Sequence, residues 1–130
     1  MSEFKVYYED TDASGRVYHA NYLKFFERGR TDLIYQTKYT HEILLDKFNI
    51  IFVVKECSIE FKKPAFFEDT IKVVSKIDQL SRVRIQFNQK IFRDSNLLAQ
   101  AKILVIPVNR SGKISKLPNK LYLILENLEI

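Results

Sequence analysis

The chain has 130 residues and a mass of 15.4 kDa, one domain's length. Hydrophobic residues make up 46% and charged residues 28%, which excludes a disordered, collagen-like or low-complexity chain. The balance of 21 Lys and Arg against 16 Asp and Glu leaves a net charge of +5, which favours phosphate-bearing partners in general rather than nucleic acid in particular.

Only one cysteine is present, Cys57. That excludes an internal disulfide and a multi-cysteine zinc site, and it fits a reducing compartment. The N-terminal residues MSEFKVYYEDTD lack the basic patch and apolar core of a signal peptide. The apolar runs at 50–54 and 103–108 fall far short of the ~20 residues a membrane span needs. A soluble, cytoplasmic protein is expected, at most peripheral at the inner membrane.

Residues 3–8 alternate and then turn aromatic, which predicts a first strand. EDTDASG at 9–15 marks a tight turn, with Gly15 suited to positive φ. Residues 20–36 predict a helix, because Tyr22, Phe25, Phe26, Gly29 and Leu33 fall at helical spacing. On its surface Glu27 with Arg30, and Arg28 with Asp32, are spaced to pair. Gly29 costs about 1 kcal/mol against Ala in a helix interior, so close approach of another backbone is expected there.

Residues 37–49 read as an irregular or short helical connection. Four strands follow, at 50–64, 70–78, 82–93 and 97–108. In the first of them Val54, Glu56, Ser58 and Glu60 share one parity, and Val53, Lys55, Cys57, Ile59 and Phe61 the other. In the third, Ile85, Phe87, Gln89 and Ile91 alternate with Arg84, Gln86, Asn88 and Lys90, as in a sheet with one wet face. A last helix is predicted over 119–128. One helix followed by consecutive strands with short links predicts an α+β layer with an antiparallel sheet, in a single domain over 1–130.

Polar chemistry concentrates in 7–30. An acidic loop here precedes an aromatic-rich helix. A helix start offers unpaired amide hydrogens that can hold an oxyanion. A carboxylate just before it can serve as base or nucleophile. On composition alone that arrangement is equally a cap and a turn.

The spacing D-x-D-x-x-G-x-V-Y-H-x-N-Y at 10–22, followed by FFERGR at 25–30, resembles the signature of hotdog-fold acyl-CoA thioesterases. It is most similar to the 4-hydroxybenzoyl-CoA thioesterase family, in its Tol–Pal-associated, YbgC-like branch. The resemblance implies a long central helix wrapped by a five-stranded antiparallel sheet. It implies homodimers or homotetramers, with the active site between the helix start of one chain and the sheet of its partner. The implied activity is hydrolysis of an acyl-CoA to free acid and CoA, with no metal and no cofactor beyond the CoA of the substrate. An acyl-carrier protein is an alternative donor.

By the same resemblance, Asp12 is the catalytic carboxylate. His19 is the residue whose amide faces the thioester oxygen and whose side chain aids substrate binding or leaving-group protonation. Gly15, Val17 and Tyr18 shape the loop and acyl pocket, while Asp10 serves the loop structurally and Glu27 the helix or the interface. Lys62, Lys63 and Pro64 approach the CoA moiety, with Arg82 and Arg84 as further phosphate contacts. Ser14 and Arg16 depart from the small or apolar residues of the branch, and Gly29 stands where Ala is common. A non-catalytic acyl-thioester binding or scaffold protein at the cell envelope is the rival reading. A nucleic-acid binder ranks below it, because the basic residues alternate with acidic ones and form no aromatic-interleaved stripe.

Overall fold

The computed structural model describes residues 1–128. The last two positions of the predicted domain lie outside the described residues. Strand β1 covers Ser2–Lys5, helix α1 Tyr22–Tyr35, and helix α2 His41–Phe48. Then come β2 Ile51–Phe61, β3 Thr70–Ser81, β4 Arg84–Arg93, β5 Asn96–Val108 and helix α3 Asn119–Glu126. The five strands form one antiparallel sheet in the order β1-β3-β4-β5-β2. This is the expected architecture.

The predicted stripe of α1 is the face it buries. Tyr22, Phe25, Phe26 and Leu33 are at most 4% exposed. They pack in one cluster with Ile71 and Val73 of β3, Ile85, Phe87 and Ile91 of β4, and Ala101, Ile103 and Val105 of β5. Fully burying a Leu- or Phe-sized side chain stabilises by about 1.5–3 kcal/mol, so this stripe holds the helix across the sheet. Helix α2 is short and capped at both ends. Thr40 accepts from the Ile43 amide at 3.1 Å, and Asn49 closes the helix in left-handed conformation at φ 54°.

Several local expectations change. The first strand ends at Lys5 rather than 8, because the chain turns into a 3-10 helix at Tyr8–Asp10, with the Asp10 carboxylate accepting from the Tyr7 amide at 2.8 Å. In β2 the parity breaks. The register against β5 shifts between Val54 and Glu56, so that Val54 and Cys57 pair with Val105 and Ile103 on the helix side. Val53 and Glu56 pair with Ile106 and Leu104 on the other face. A single extra residue at Lys55 exchanges faces, as a bulge must in a structure of period two. Gly29 is crowded by side chains rather than backbone. An added Cβ would lie 2.6 Å from Val73 Cγ1, 3.0 Å from Ser75 Oγ and 3.2 Å from Gln89 Nε2.

The expected surface pairs on α1 do not form. Glu27 accepts from the Thr31 hydroxyl at 2.9 Å, and Asp32 accepts from the Ser2 hydroxyl at 2.6 Å. Arg30 turns inward to Gln89. Strand β2 is the sheet edge beside β5, with Val53, Val54 and Phe61 between 41% and 52% exposed.

Candidate active site

Between β1 and α1 the chain builds a small closed loop on top of the helix start. Thr11 and Val17 form an antiparallel bridge. Inside it the Asp12 amide donates to the Arg16 carbonyl at 2.9 Å, and the Gly15 amide returns to the Asp12 carbonyl at 3.0 Å. Gly15 sits at φ 80° with open space around it. Conformation, not crowding, is therefore what a side chain would violate there. The Val17 amide donates to the Ala65 carbonyl at 2.8 Å, docking the loop on the segment after β2.

Asp10 ties this loop to the helix. Its side chain is 5% exposed. Besides the Tyr7 amide, it faces the Lys24 ammonium from the first turn of α1, and Oδ1 has no other donor among the described residues. The Asp10 carbonyl accepts from the Tyr18 amide at 2.9 Å and from Asn21 Nδ2 at 2.8 Å. One residue thus joins both legs of the loop to the helix start.

Asp12 is exposed in the single chain. Its Oδ1 accepts from the Ser14 amide at 2.8 Å and the Ser14 hydroxyl at 2.6 Å. The hydroxyl bond, then the amide bond, holds the carboxyl below the usual carboxylate range, with Arg16 and His19 adding to the effect. The group is an anion at neutral pH. Ser14, a departure from the branch pattern, is therefore the main neighbour of the expected catalytic carboxylate.

The helix begins earlier than its α-helical span. His19–Asn21 form a 3-10 turn that runs directly into α1. The amides of Tyr18 and Asn21 are bonded to carbonyls, those of Asp10 and Tyr18 respectively. The amides of His19 and Ala20 donate to no acceptor among the described residues. Two donors at the start of a helical turn, beside an ionised carboxylate, can hold a developing oxyanion.

Below this start lies an open groove of about 360 Å³. Val17, His19 and Tyr22 line one side, and Phe61, Lys62, Lys63 and Pro64 the other. Tyr22 is 3% exposed. Its hydroxyl accepts from the Ala65 amide at 3.1 Å, and burial raises its pKa. Phe61 meets Tyr22 edge-on at 5.2 Å. The Lys62 and Lys63 amides share the Leu98 carbonyl, at 2.8 and 3.0 Å, which fixes the backbone and leaves both ammonium groups on the rim. Lys62 pairs with Glu60 at 3.2 Å and Lys63 with Asn96 at 3.2 Å. Tyr18, exposed, lies against His19 at 4.6 Å between ring centres.

The structure brings His19, Val17, Lys62, Lys63 and Pro64 together at one groove, with Asp12, Gly15 and Tyr18 on the loop above. It does not bring Arg82 there. The Arg82 guanidinium lies 4.8 Å over the Tyr122 ring and bonds Asn119 at α3. Arg84 and Arg93 are the two ends of β4, about 30 Å apart at ~3.4 Å per residue. The groove is at the Arg93 end, where Nη1 bonds the Pro64 carbonyl at 3.0 Å and Asp69 at 2.7 Å. Arg93 escaped the sequence reading, whereas Arg16, singled out there as a departure from the branch pattern near the pocket, lines the same groove with its guanidinium 5.7 Å over Phe66. An arginine at a strand terminus was the available signal for Arg93, but which terminus faces the site depends on strand pairing. Cys57 is exposed on the helix-facing side of β2, and burial by its neighbours raises its thiol pKa.

The Thioesterase-like superfamily model matches residues 6–125. The acyl-CoA thioesterase YbgC of Haemophilus influenzae is 38% identical over 105 residues, covering 81% of this chain and 77% of that protein. The acyl-CoA thioester hydrolase YbgC of Escherichia coli O157:H7 is 36% identical over 106 residues, covering 81% and 78%. The crystal structure of a probable thioesterase from Bartonella henselae superposes with a TM-score of 0.87 at 34% identity, over 90% of this chain and 97% of that one. Loop, central helix and strands β2 to β5 fall within the matched span, and the chain belongs to the thioesterase-like superfamily, with its hotdog fold.

Proposed function

We propose that the chain is an acyl-CoA thioesterase, with Asp12 as base or nucleophile and the amides of His19 and Ala20 as the oxyanion site. The observation that carries this reading is the pair of unengaged amides at the 3-10 turn, one small loop away from a carboxylate held ionised. The names of the YbgC relatives support the same chemistry.

In the base route, Asp12 takes a proton from water as the water oxygen attacks the thioester carbon. The carbonyl oxygen becomes an oxyanion on the two amides. Its collapse expels CoA thiolate, which is then protonated, and the acid leaves as a carboxylate. In the nucleophile route, Asp12 itself attacks the thioester carbon, the C–S bond breaks to release CoA thiolate, which is then protonated, and water hydrolyses the resulting mixed anhydride to the free acid and the Asp12 carboxylate. Single turnover in isotopically labelled water tests the second route, since water that opens the anhydride at the Asp12 carboxyl carbon leaves label in Asp12, which the base route never does. Neither route calls for a metal or a redox cofactor.

Lys62, Lys63 and Arg16 at the groove rim suit the phosphates of CoA, whether the acyl group arrives on CoA or on an acyl-carrier protein. Asp12 is exposed in one chain, and β2 presents an unpaired edge with exposed Val54 and Phe61. A second copy paired along β2, as a homodimer or within a homotetramer in the cytoplasm, would cover both and exclude water from the reacting bond. Asp12→Asn preserves shape and removes the base. Thiol release from acyl-CoA substrates is expected to fall 10²–10⁴-fold, about what a positioned base contributes. Full turnover by that variant overturns the assignment.

A further inference from the structure

The face of the sheet turned away from α1 gathers cations that are scattered along the chain. Ser75, Gln89 and Ala101 are buried on the helix side, so their neighbours Lys76, Lys90 and Lys102 turn outward. Strand pairing sets Lys76 of β3, Asn88 of β4 and Lys102 of β5 in one row. Lys90 stands in the next row, between Val74 and Gln100. With strands ~4.8 Å apart and residues ~3.4 Å apart along each, the backbones of Lys76 and Lys102 lie about 10 Å from each other, and that of Lys90 about 8 Å from both. Lys72 and Arg84 continue the face toward its two ends.

The three central lysines are exposed, and none belongs to an ion pair of the described residues. Glu3, Glu56 and Glu60 share the outer face but stand on the outermost strands, β1 and β2. On β3, β4 and β5 the one carboxylate is Asp78, the extra residue of the β3 bulge, two positions beyond Lys76. The lysines are about one Debye length apart at physiological salt, ~8 Å, so their potentials add. Such a patch costs the fold self-repulsion and stabilises nothing within it.

The face also lacks what a macromolecule would grip. Val74 and Phe92 are half-buried, and Leu104 and Ile106 are buried, so no exposed apolar or aromatic anchor stands among the lysines. A second copy of the same face is repelled by like charge. Lysine is a mobile point charge, without the fork by which arginine reads one phosphate in a fixed pose. A fluid, two-dimensional field of anions, whose charges move to meet the ammonium groups, fits these features.

We propose that the outer face of β3, β4 and β5 docks the protein on a bilayer of anionic phospholipid. The attachment is peripheral, since no helix among the described residues is long and apolar enough to cross a membrane. It is independent of the hydrolase reading.

The test is sedimentation of the protein with vesicles of phosphatidylcholine alone and of phosphatidylcholine with phosphatidylglycerol in equal parts. The protein is expected to sediment with the mixed vesicles only, and to be released at 1 M salt, where the Debye length is ~3 Å. A lysine at an anionic surface contributes about fivefold, so Lys76→Gln, Lys90→Gln and Lys102→Gln together should weaken binding about 100-fold. Lys113→Gln, Lys116→Gln and Lys120→Gln remove the same net charge from the segment after β5 and the start of α3 and should change binding by far less. Asp12→Asn should bind vesicles as the parent does, which separates this result from the fate of the hydrolase assignment. Equal weakening by the two triple variants, equal binding to uncharged vesicles, or tighter binding of duplex DNA or polyglutamate than of the mixed vesicles overturns the proposal. Urea melts report whether each variant folds. If the first triple variant does not, Lys76→Gln and Lys102→Gln singly decide, and unchanged binding by both overturns it.

Discussion

Asp10→Ala probes the attachment of the candidate active-site loop to the helix. The substitution removes the carboxylate that receives the Tyr7 amide and faces the Lys24 ammonium. It leaves the Asp10 carbonyl, and so the bonds to Tyr18 and Asn21, in place. A hydrogen bond to a buried charged group is worth about 1.5–3 kcal/mol. The ion pair adds less, since the Lys24 side chain is 31% exposed and regains water when released; about 1 kcal/mol is the ceiling for such a pair. The total is about 2–4 kcal/mol, with a fall of roughly 3–5 °C in Tm for each kcal/mol in a chain of this length. Urea melts with unchanged slope and thiol-release kinetics, both on Asp10→Ala and Asp10→Asn, make the assay. Asn keeps an oxygen for the Tyr7 amide and should recover about half of the stability. Because the loop carries Asp12, kcat should fall further than KM rises, and Asn should recover part of kcat as well. A variant as stable as the parent, or one that loses stability with kcat intact, refutes the tie between Asp10 and the loop.

Ser14→Ala removes the strongest of the contacts that hold Asp12 ionised, so the Asp12 pKa rises. With Asp12 as the proposed base or nucleophile, activity would need its anion, so the acid limb of the kcat/KM profile should move to higher pH with the plateau retained; an unmoved limb excludes Asp12 as the group it reports. Gly29→Ala sets two effects against each other. Helix propensity favours Ala by about 1 kcal/mol, whereas the new Cβ would stand 2.6 Å from the stiff, fully buried Val73 and overpacking costs about 1–3 kcal/mol. Net destabilisation is expected in urea melts, partly relieved when Val73→Ala is added, and a gain in stability would show that β3 gives way.

Much of the molecule is written locally. The stripe of Tyr22, Phe25, Phe26 and Leu33 named the buried face of α1, because a helix repeats its environment within a few residues. The alternation of Ile85, Phe87, Gln89 and Ile91 named the inner face of β4 for the same reason at period two. The loop at 10–22 was legible because its turn residues bond mostly to one another. Tertiary structure decided what depends on partners distant in the chain. Lys55 looks like any strand residue, yet the register against β5 makes a bulge there and moves Val54 to the helix side. Arg30 was spaced to meet Glu27 on the surface and instead meets Gln89, 59 residues away. Strand pairing placed Arg93, not Arg82, beside Pro64. Periodicity reports which face of an element is apolar; it carries no record of which strand end, which register or which buried amide a side chain will meet, because those are fixed only when separate elements pack.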